Sequence, residues 1–325
     1  MMGGQAGWIY DESLSLLKEM GHISRLDRLL AEENIDDRMT RIDVRSSGLE
    51  TVDAVHCLLD RKRTFALLEA VERYARPGDV VVEAGLGTGI LAAMAAGMGA
   101  EVYGIEINDE TLALAEKLCG ALAGKEFFQP ENLHLIGADA SAWQPERPVD
   151  LIISENIYAG MFYEMQIPIV NNLLQYRSSR CRSLPEALES FVILAEVKGP
   201  EQKGHGQSFS PSDAEGRIYQ WRELSEPVLY DQVDFRRRND ARCSADLKLR
   251  ATGSGSVNSL LIYSPVKVAE GIVLRRQDMI FMGEDIFVVI DPPLAVDGGC
   301  LIRLRMDYER GGKPESGSYR LERLN

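Results

Sequence analysis

Residues 79–108 read DVVVEAGLGTGILAAMAAGMGAEVYGIEIN, in the order strand, glycine loop, helix, strand. Val80, Val81 and Val82 form a continuous β-branched run, the pattern of a strand buried on both faces. Gly85, Gly87 and Gly89 follow at once. Ile90–Met98 is small and apolar, rich in helix-forming alanine. Glu101–Ile107 reads as a second short strand. Asn108 closes it as a helix N-cap for the stretch DETLALAEKL.

Two cofactors use such a unit. In the dinucleotide version, G-x-G-x-x-G/A, a pyrophosphate sits on the helix N-terminus. Here the sixth position is Ile90, too large for the close helix–strand contact that a third glycine permits. The spacing is instead Glu83-x-Gly85-x-Gly87-x-Gly89, which resembles the S-adenosylmethionine loop of class I methyltransferases. The resemblance implies that Glu83, Gly85 and Gly87 border the methionine part of that cofactor. Glu106, at the end of the next strand, is placed for the ribose hydroxyls. S-adenosylhomocysteine would be the product. The bland alternative is a glycine-rich turn of another α/β fold.

The chain has 325 residues, 45% hydrophobic and 26% charged, so it is globular and long enough for two domains. A formal net charge of −14 argues against a non-specific grip on nucleic acid, which needs clustered Lys and Arg. The same charge suits a cationic substrate through long-range steering. Five scattered cysteines, never spaced C-x-x-C, fit reduced thiols in a cytoplasmic protein. The four histidines lie far apart and form no ligand pattern, so no metal site is expected. Neither a signal peptide nor a membrane span is expected.

Asp11–Asn34 carries apolar residues at helical spacing and reads as one or two amphipathic helices. Ile35–Val44 is dominated by charge, and Thr51–Tyr74 reads as a further helical stretch. Beyond Glu106, the helix Glu110–Leu122 leads to a third strand, Asn132–Ile136, and a fourth, Pro148–Ile153. Repetition of strand, helix, strand gives a parallel sheet with right-handed crossovers. Ligands belong outside the carboxyl ends of its strands. The resemblance to class I methyltransferases implies that Asp139, just past the third strand, borders the adenine; the alternative is a turn or helix N-cap residue.

The fourth strand runs into SENIYAGMFYEMQIPIV, residues 154–170. Glu155 lies on the strand-end loop, and Glu164 falls in the first turn of an expected helix, Phe162–Tyr176. Two carboxylates folded together repel, and one takes up a proton unless a cation lies between them. A guanidinium matches, because its planar fork can pair with both. By spacing alone, a core-edge residue and a solvated helix-start residue would read the same way.

The pattern S-E-x-x-x-x-x-x-F-Y-E after a DLIIS strand resembles the double-glutamate loop of the protein arginine methyltransferases. Upstream, residues 39–45, MTRIDVR, resemble that family's M-L-x-D-x-V-R segment with the Asp one place late. In the family that Met borders the reaction centre and that Arg clamps the cofactor carboxylate, so the resemblance assigns these places to Met39 and Arg45. Ser183–Val197 is similar to the crossing into the family's β-barrel. From Val228 on, short alternating runs suggest an antiparallel barrel or sandwich. These runs are Val233–Phe235, Asp246–Arg250, Ser259–Val268, Met279–Met282, Asp285–Ile290, Cys300–Tyr308 and Ser318–Leu324. The expected fold is an α/β Rossmann-like methyltransferase domain followed by an all-β barrel-like domain, with N-terminal helices. The expected divisions are 1–78, 79–184 and 185–325.

The chain departs from the family in three places. The aromatic Y-F-x-x-Y segment is missing from 26–31. The T-H-W barrel loop is replaced by Ile272–Gln277. The stretch 198–223, where a dimerisation arm would lie, is polar and loop-like. These departures leave the acceptor and a homodimer open. Ile290-Asp291-Pro292-Pro293 is similar to a D-P-P-Y motif of base-modifying enzymes but lacks the aromatic, and reads as a strand-ending turn. The resemblance implies methyl transfer to a guanidino nitrogen held by Glu155 and Glu164, in a protein, a peptide or a small molecule. The alternatives are a methyltransferase acting on a small-molecule, free amino-acid or natural-product amine, and a cofactor-binding regulatory protein without turnover.

Overall fold

The structure, a computed structural model, describes residues 4–22, 51–198, 204–211, 219–278 and 285–324. Helix α1 (Gln5–Glu19) buries Ala6, Ile9, Tyr10, Leu16 and Leu17 along one face. It starts six residues before the expected Asp11, because Ile9 and Tyr10 continue the buried stripe. It stops well short of Asn34: Gly21 takes φ +82°, and the His22 N–H donates to the Leu17 carbonyl at 3.0 Å. That is the geometry that ends a helix on a left-handed glycine. The remainder of that expected stretch, from 23 on, lies outside the described residues, as do the charged run 35–44 and the expected strand Met279–Met282.

The single helical stretch expected over Thr51–Tyr74 is two helices, α2 (Thr51–Leu59) and α3 (Arg61–Tyr74). Asp60 breaks them. Its backbone is non-helical, and its side chain accepts from the Arg63 N–H at 3.3 Å as an N-cap. Apolar periodicity ran through the break because both helices bury their apolar residues in one core.

Five strands form the parallel sheet: β1 (Val80–Ala84), β2 (Glu101–Glu106), β3 (Leu133–Gly137), β4 (Val149–Ser154) and β5 (Arg177–Leu184). Their order is β3-β2-β1-β4-β5. Helices α4 (Ile90–Gly97) and α5 (Asp109–Gly124) are the first two crossovers. The Asn108 side chain caps α5, accepting from the N–H groups of Glu110 and Thr111 at 3.0 and 3.1 Å. Register brings the strand ends level: Ala84 pairs with Ile105 and Ser154, and Glu106 with Gly137. The residues just beyond these ends therefore share one rim.

The expected helix Phe162–Tyr176 is shorter. Helix α6 spans Gln166–Leu173, and Glu164 precedes it on an irregular turn instead of lying in its first turn. Tyr163 takes φ +62°, and the Glu164 N–H donates back to the Phe162 carbonyl at 2.7 Å. Helical geometry cannot begin there.

The second half holds β6 (Ala187–Lys198), β7 (Ser208–Phe209), β8 (Gln220–Glu223), β9 (Val228–Asp234), β10 (Arg242–Arg250), β11 (Gly255–Tyr263), β12 (Val266–Ala269), β13 (Ile272–Leu274), β14 (Ile286–Val296), β15 (Leu301–Glu309) and β16 (Ser318–Arg323). One sheet runs β13-β12-β6-β11-β14-β7, with β8 and β9 also on β6; the other is β10-β15-β16. Among the described strands the ladders do not close into a barrel. The two antiparallel sheets share one core instead, with Val192, Leu260 and Val288 from one and Leu249, Leu304 and Tyr308 from the other. The stretch 198–223 is less loop-like than its composition suggests, since β7 and β8 pair with β14 and β6. Ile290–Pro293 does not end a strand. β14 continues to Val296, with Ser259 opposite Val289 and Val257 opposite Leu294, so these four residues form a bulge. No described helix is long and apolar enough to cross a membrane.

Candidate active site

The glycine loop leaves β1 with Gly85 at φ +78° and Gly89 at φ +79°. A Cβ on Gly85 would lie 2.3 Å from the Asn156 side-chain oxygen, and one on Gly89 would lie 2.8 Å from the Cys119 sulfur. Both places need glycine for its backbone and for its size. The Glu106 carboxylate ties the loop to β2. One oxygen accepts from the Gly87 N–H at 3.1 Å, the other from the Asn108 N–H at 3.0 Å. Each oxygen keeps a further lone pair. Glu83 is buried on β1, and burial lifts its carboxyl well above the usual range. Its Oε2 is buried with no hydrogen-bond partner.

Glu155 emerges from β4 and forms an ion pair with Arg63 of α3. Both side chains are about nine-tenths buried, at 9% and 11% exposure. Arg63 Nη1 also donates to the Cys57 carbonyl at 2.9 Å, while its Nε is buried without a hydrogen-bond partner. Burial, followed by the nearby Asp53 carboxylate, raises the Glu164 carboxyl to about 6. Burial also pushes the Cys57 thiol up.

The loop between the two glutamates is moored to the β sheets. The Gly160 N–H donates to Ser264 Oγ at 2.9 Å, and the Tyr308 hydroxyl donates to the Gly160 carbonyl at 2.8 Å. The Gly311 N–H donates to the Met161 carbonyl at 2.6 Å, and the Tyr163 N–H to the Gly312 carbonyl at 3.0 Å. Phe162 is fully buried in the second core with its ring centroid 4.5 Å from that of Tyr308.

Glu83, Gly85, Gly87, Glu106, Asp139, Glu155 and Glu164 all border one cavity of about 490 Å³, a size typical of small-molecule sites, roughly 300–1,000 Å³. Asp139 also serves as a turn residue, accepting from the Ser141 N–H at 2.8 Å. Met39 and Arg45 lie outside the described residues. Arg63 and Asn156 border the same cavity and were not singled out from the sequence. A signal for Arg63 exists: Leu58-x-Asp60-x-x-Arg63 has the L-x-D-x-V-R offsets that residues 39–45 meet only with a shift. Among the described residues no group of His, Cys, Asp and Glu side chains could hold a metal ion.

No protein-family model matches the chain. Over 267 residues it is 25% identical to an uncharacterised protein of Methanocaldococcus jannaschii, a match covering 80% of this chain and 92% of that one. It is 26% identical over 276 residues to the arginine N(omega)-methyltransferase of Streptomyces achromogenes subsp. streptozoticus, covering 77% of this chain and 74% of that one. A 98-residue segment is 35% identical to the ribosomal protein L11 methyltransferase of Thermus thermophilus, covering 30% and 35%. Among solved structures, the Trypanosoma brucei PRMT1 enzyme–prozyme heterotetrameric complex with AdoHcy matches at a TM-score of 0.63 and 17% identity, over 85% of this chain and 99% of that one. The chain has the class I methyltransferase fold followed by antiparallel sheets, resembles the protein arginine methyltransferases and is related to methyltransferases.

Proposed function

We propose that the chain transfers a methyl group from S-adenosylmethionine to a guanidino nitrogen. The observation that carries this is the shared cavity: Glu155 and Glu164 border the same space as the glycine loop, Glu83 and Glu106. The residues present fit the cofactor. Glu106 keeps one lone pair on each oxygen for the two ribose hydroxyls. The unpartnered Glu83 Oε2 suits an ammonium donor. Arg63, with its buried free Nε, suits the methionine carboxylate. When bound, this cofactor supplies an electrophilic methyl on a sulfonium.

Holding the acceptor in line is the chain's first task, and such positioning can supply much of a rate enhancement. A guanidinium is a poor nucleophile, since its charge is delocalised and its pKa exceeds ~12. Glu155 and Glu164 concentrate that charge on the nitrogens they contact and leave the third closer to a neutral amine. The two glutamates then divide the work. Glu155 is paired with Arg63, whereas Glu164, raised to about 6, is better matched to receiving the proton that leaves as the new bond forms.

Glu164→Gln is expected to leave the S-adenosylhomocysteine dissociation constant nearly unchanged in calorimetry and to abolish turnover. Loss of cofactor binding in that variant would overturn the assignment. Free arginine is a second acceptor class. The relative from Streptomyces is named for arginine itself, and the T-H-W loop is replaced by β13 and the residues after it. Mass spectrometry after incubation with free arginine and with arginine peptides separates the two acceptors.

A further inference from the structure

The primary amide of Gln166 is completely buried at the start of α6. A side-chain amide in a dry interior loses stability unless its polar atoms are satisfied, and here their partners are unusually placed. Gln166 Oε1 accepts from the Asn156 N–H at 3.0 Å, and Nε2 donates to the Ser154 carbonyl at 2.7 Å. These are the peptide groups on either side of Glu155. Gln166 thus pairs with the Glu155 backbone as a neighbouring strand would, at the point where β4 ends and no strand continues.

The bracket is closed by a second loop of hydrogen bonds. The Ser154 hydroxyl donates to Gln166 Oε1 at 3.0 Å, and the Asn156 side-chain amide donates to Ser154 Oγ at 3.1 Å and to the Ala84 carbonyl at 2.8 Å. Ala84 is the last residue of β1, directly before Gly85. The backbone of Glu155 and the glycine loop are therefore held in one hydrogen-bonded frame. α6 itself follows Glu164 by two residues. The hydrogen bonds of Gln166 to this segment go to peptide groups and to the Ser154 hydroxyl, so the frame acts on backbone placement.

We infer that Gln166 is a positioning residue that sets the place of Glu155 against the glycine loop; this rests on the functional reading above. Gln166→Met keeps the length of the side chain and leaves the Ser154 carbonyl and the Asn156 N–H unpaired. Methyl transfer to an arginine acceptor should fall about 100-fold in kcat, the scale of a displacement near 1 Å, while the S-adenosylhomocysteine dissociation constant stays within about twofold. Gln166→Glu is the rescue. A neutral carboxylic acid reproduces the pattern, its carbonyl accepting from the Asn156 N–H and its hydroxyl donating to the Ser154 carbonyl. Once ionised, it presents an anion to that carbonyl instead.

The ratio of variant to wild-type kcat should therefore approach unity near pH 6 and fall at least about tenfold toward pH 9. Glu155, Arg63 and Glu164 lie on the adjoining elements, and a carboxylate at 166 couples to their charges, so the ratio reads ionisation at 166 together with its effect on them. A wild-type rate in Gln166→Met, or a Gln166→Glu rate near pH 6 no higher than that of Gln166→Met, would overturn the inference and leave the functional reading standing. A wild-type protein that methylates no guanidino acceptor would overturn both.

Discussion

Arg63 and Glu155 show what a buried ion pair does in a cavity. The two are about nine-tenths buried, and removal of one partner leaves the other buried without its counter-ion. Arg63→Ala should weaken S-adenosylhomocysteine binding by roughly 1–3 kcal/mol, the range for hydrogen bonds to charged groups. It should also destabilise the ligand-free protein at neutral pH. Binding titrations and denaturant melts at neutral pH check both halves, and an unchanged dissociation constant would remove Arg63 from the cofactor site. Glu164 carries the opposite sign from a salt-bridged carboxylate. Its folded value of about 6 lies above its ordinary 4.5, so the folded state holds the proton more tightly. The group therefore opposes folding above about pH 6 and ceases to do so below about pH 4.5. Glu164→Gln should be the more stable protein by roughly 1–2 kcal/mol at pH 7.5, with the gap closing toward pH 4. Equal melts across that range would show that burial does not strain this carboxyl.

Between residue and molecule stands the loop 155–164. Its backbone is irregular, with Gly160, Met161 and Tyr163 all at positive φ, and strain of that kind persists only when the surroundings over-determine it. Here they do. Gly160 is held through both its N–H and its carbonyl, and Phe162 is anchored in the second core. A Cβ on Gly160 would lie 2.6 Å from the Phe162 ring. The Tyr308 hydroxyl also lies 3.0 Å from that of Tyr230, so the carbonyl contact belongs to a part-buried network. Tyr308→Phe should lower stability by about 1 kcal/mol, the ordinary worth of one such bond. It should reduce kcat while leaving cofactor affinity alone, because the glycine loop is held by other elements. Steady-state kinetics beside calorimetry check this; a kcat unmoved by the substitution would mean that Phe162 alone suffices to set the loop.

Across the whole molecule, the described residues that line the cavity lie between Ala54 and Ile169, and the sequence carries a formal net charge of −14. Such a field draws cations inward over distances longer than any contact, and salt weakens it within a Debye length of about 10 Å at 0.1 M. For an arginine acceptor, KM should rise with ionic strength more steeply than the dissociation constant of S-adenosylhomocysteine. Initial rates at several salt concentrations test this, and a salt-independent KM would show that recognition is confined to the two glutamates. Among the described strands the antiparallel half is two sheets around one core, not a closed ring. Its role toward the cavity is nonetheless plain, since it supplies Ser264, Tyr308, Gly311 and Gly312 to the loop that carries Glu164.

The parallel sheet, the glycine loop and the acidic rim were legible in the chain because each is a local pattern. Valine runs, left-handed glycines and a carboxylate at a strand end are written within a few residues of one another, and strand register does the rest. The places where that reading erred were settled by contacts distant in sequence. Asp60 splits one periodic stretch into two helices and so turns Arg63 toward Glu155, 92 residues later. Glu164 leaves its expected helix because the β sheets hold the preceding backbone at positive φ. Gln166, an ordinary polar residue in sequence, becomes the partner of the Glu155 peptide groups only when α6 packs on β4. Periodicity records which face of an element is buried. It does not record which polar group will be waiting there, because that depends on backbone atoms brought together by folding.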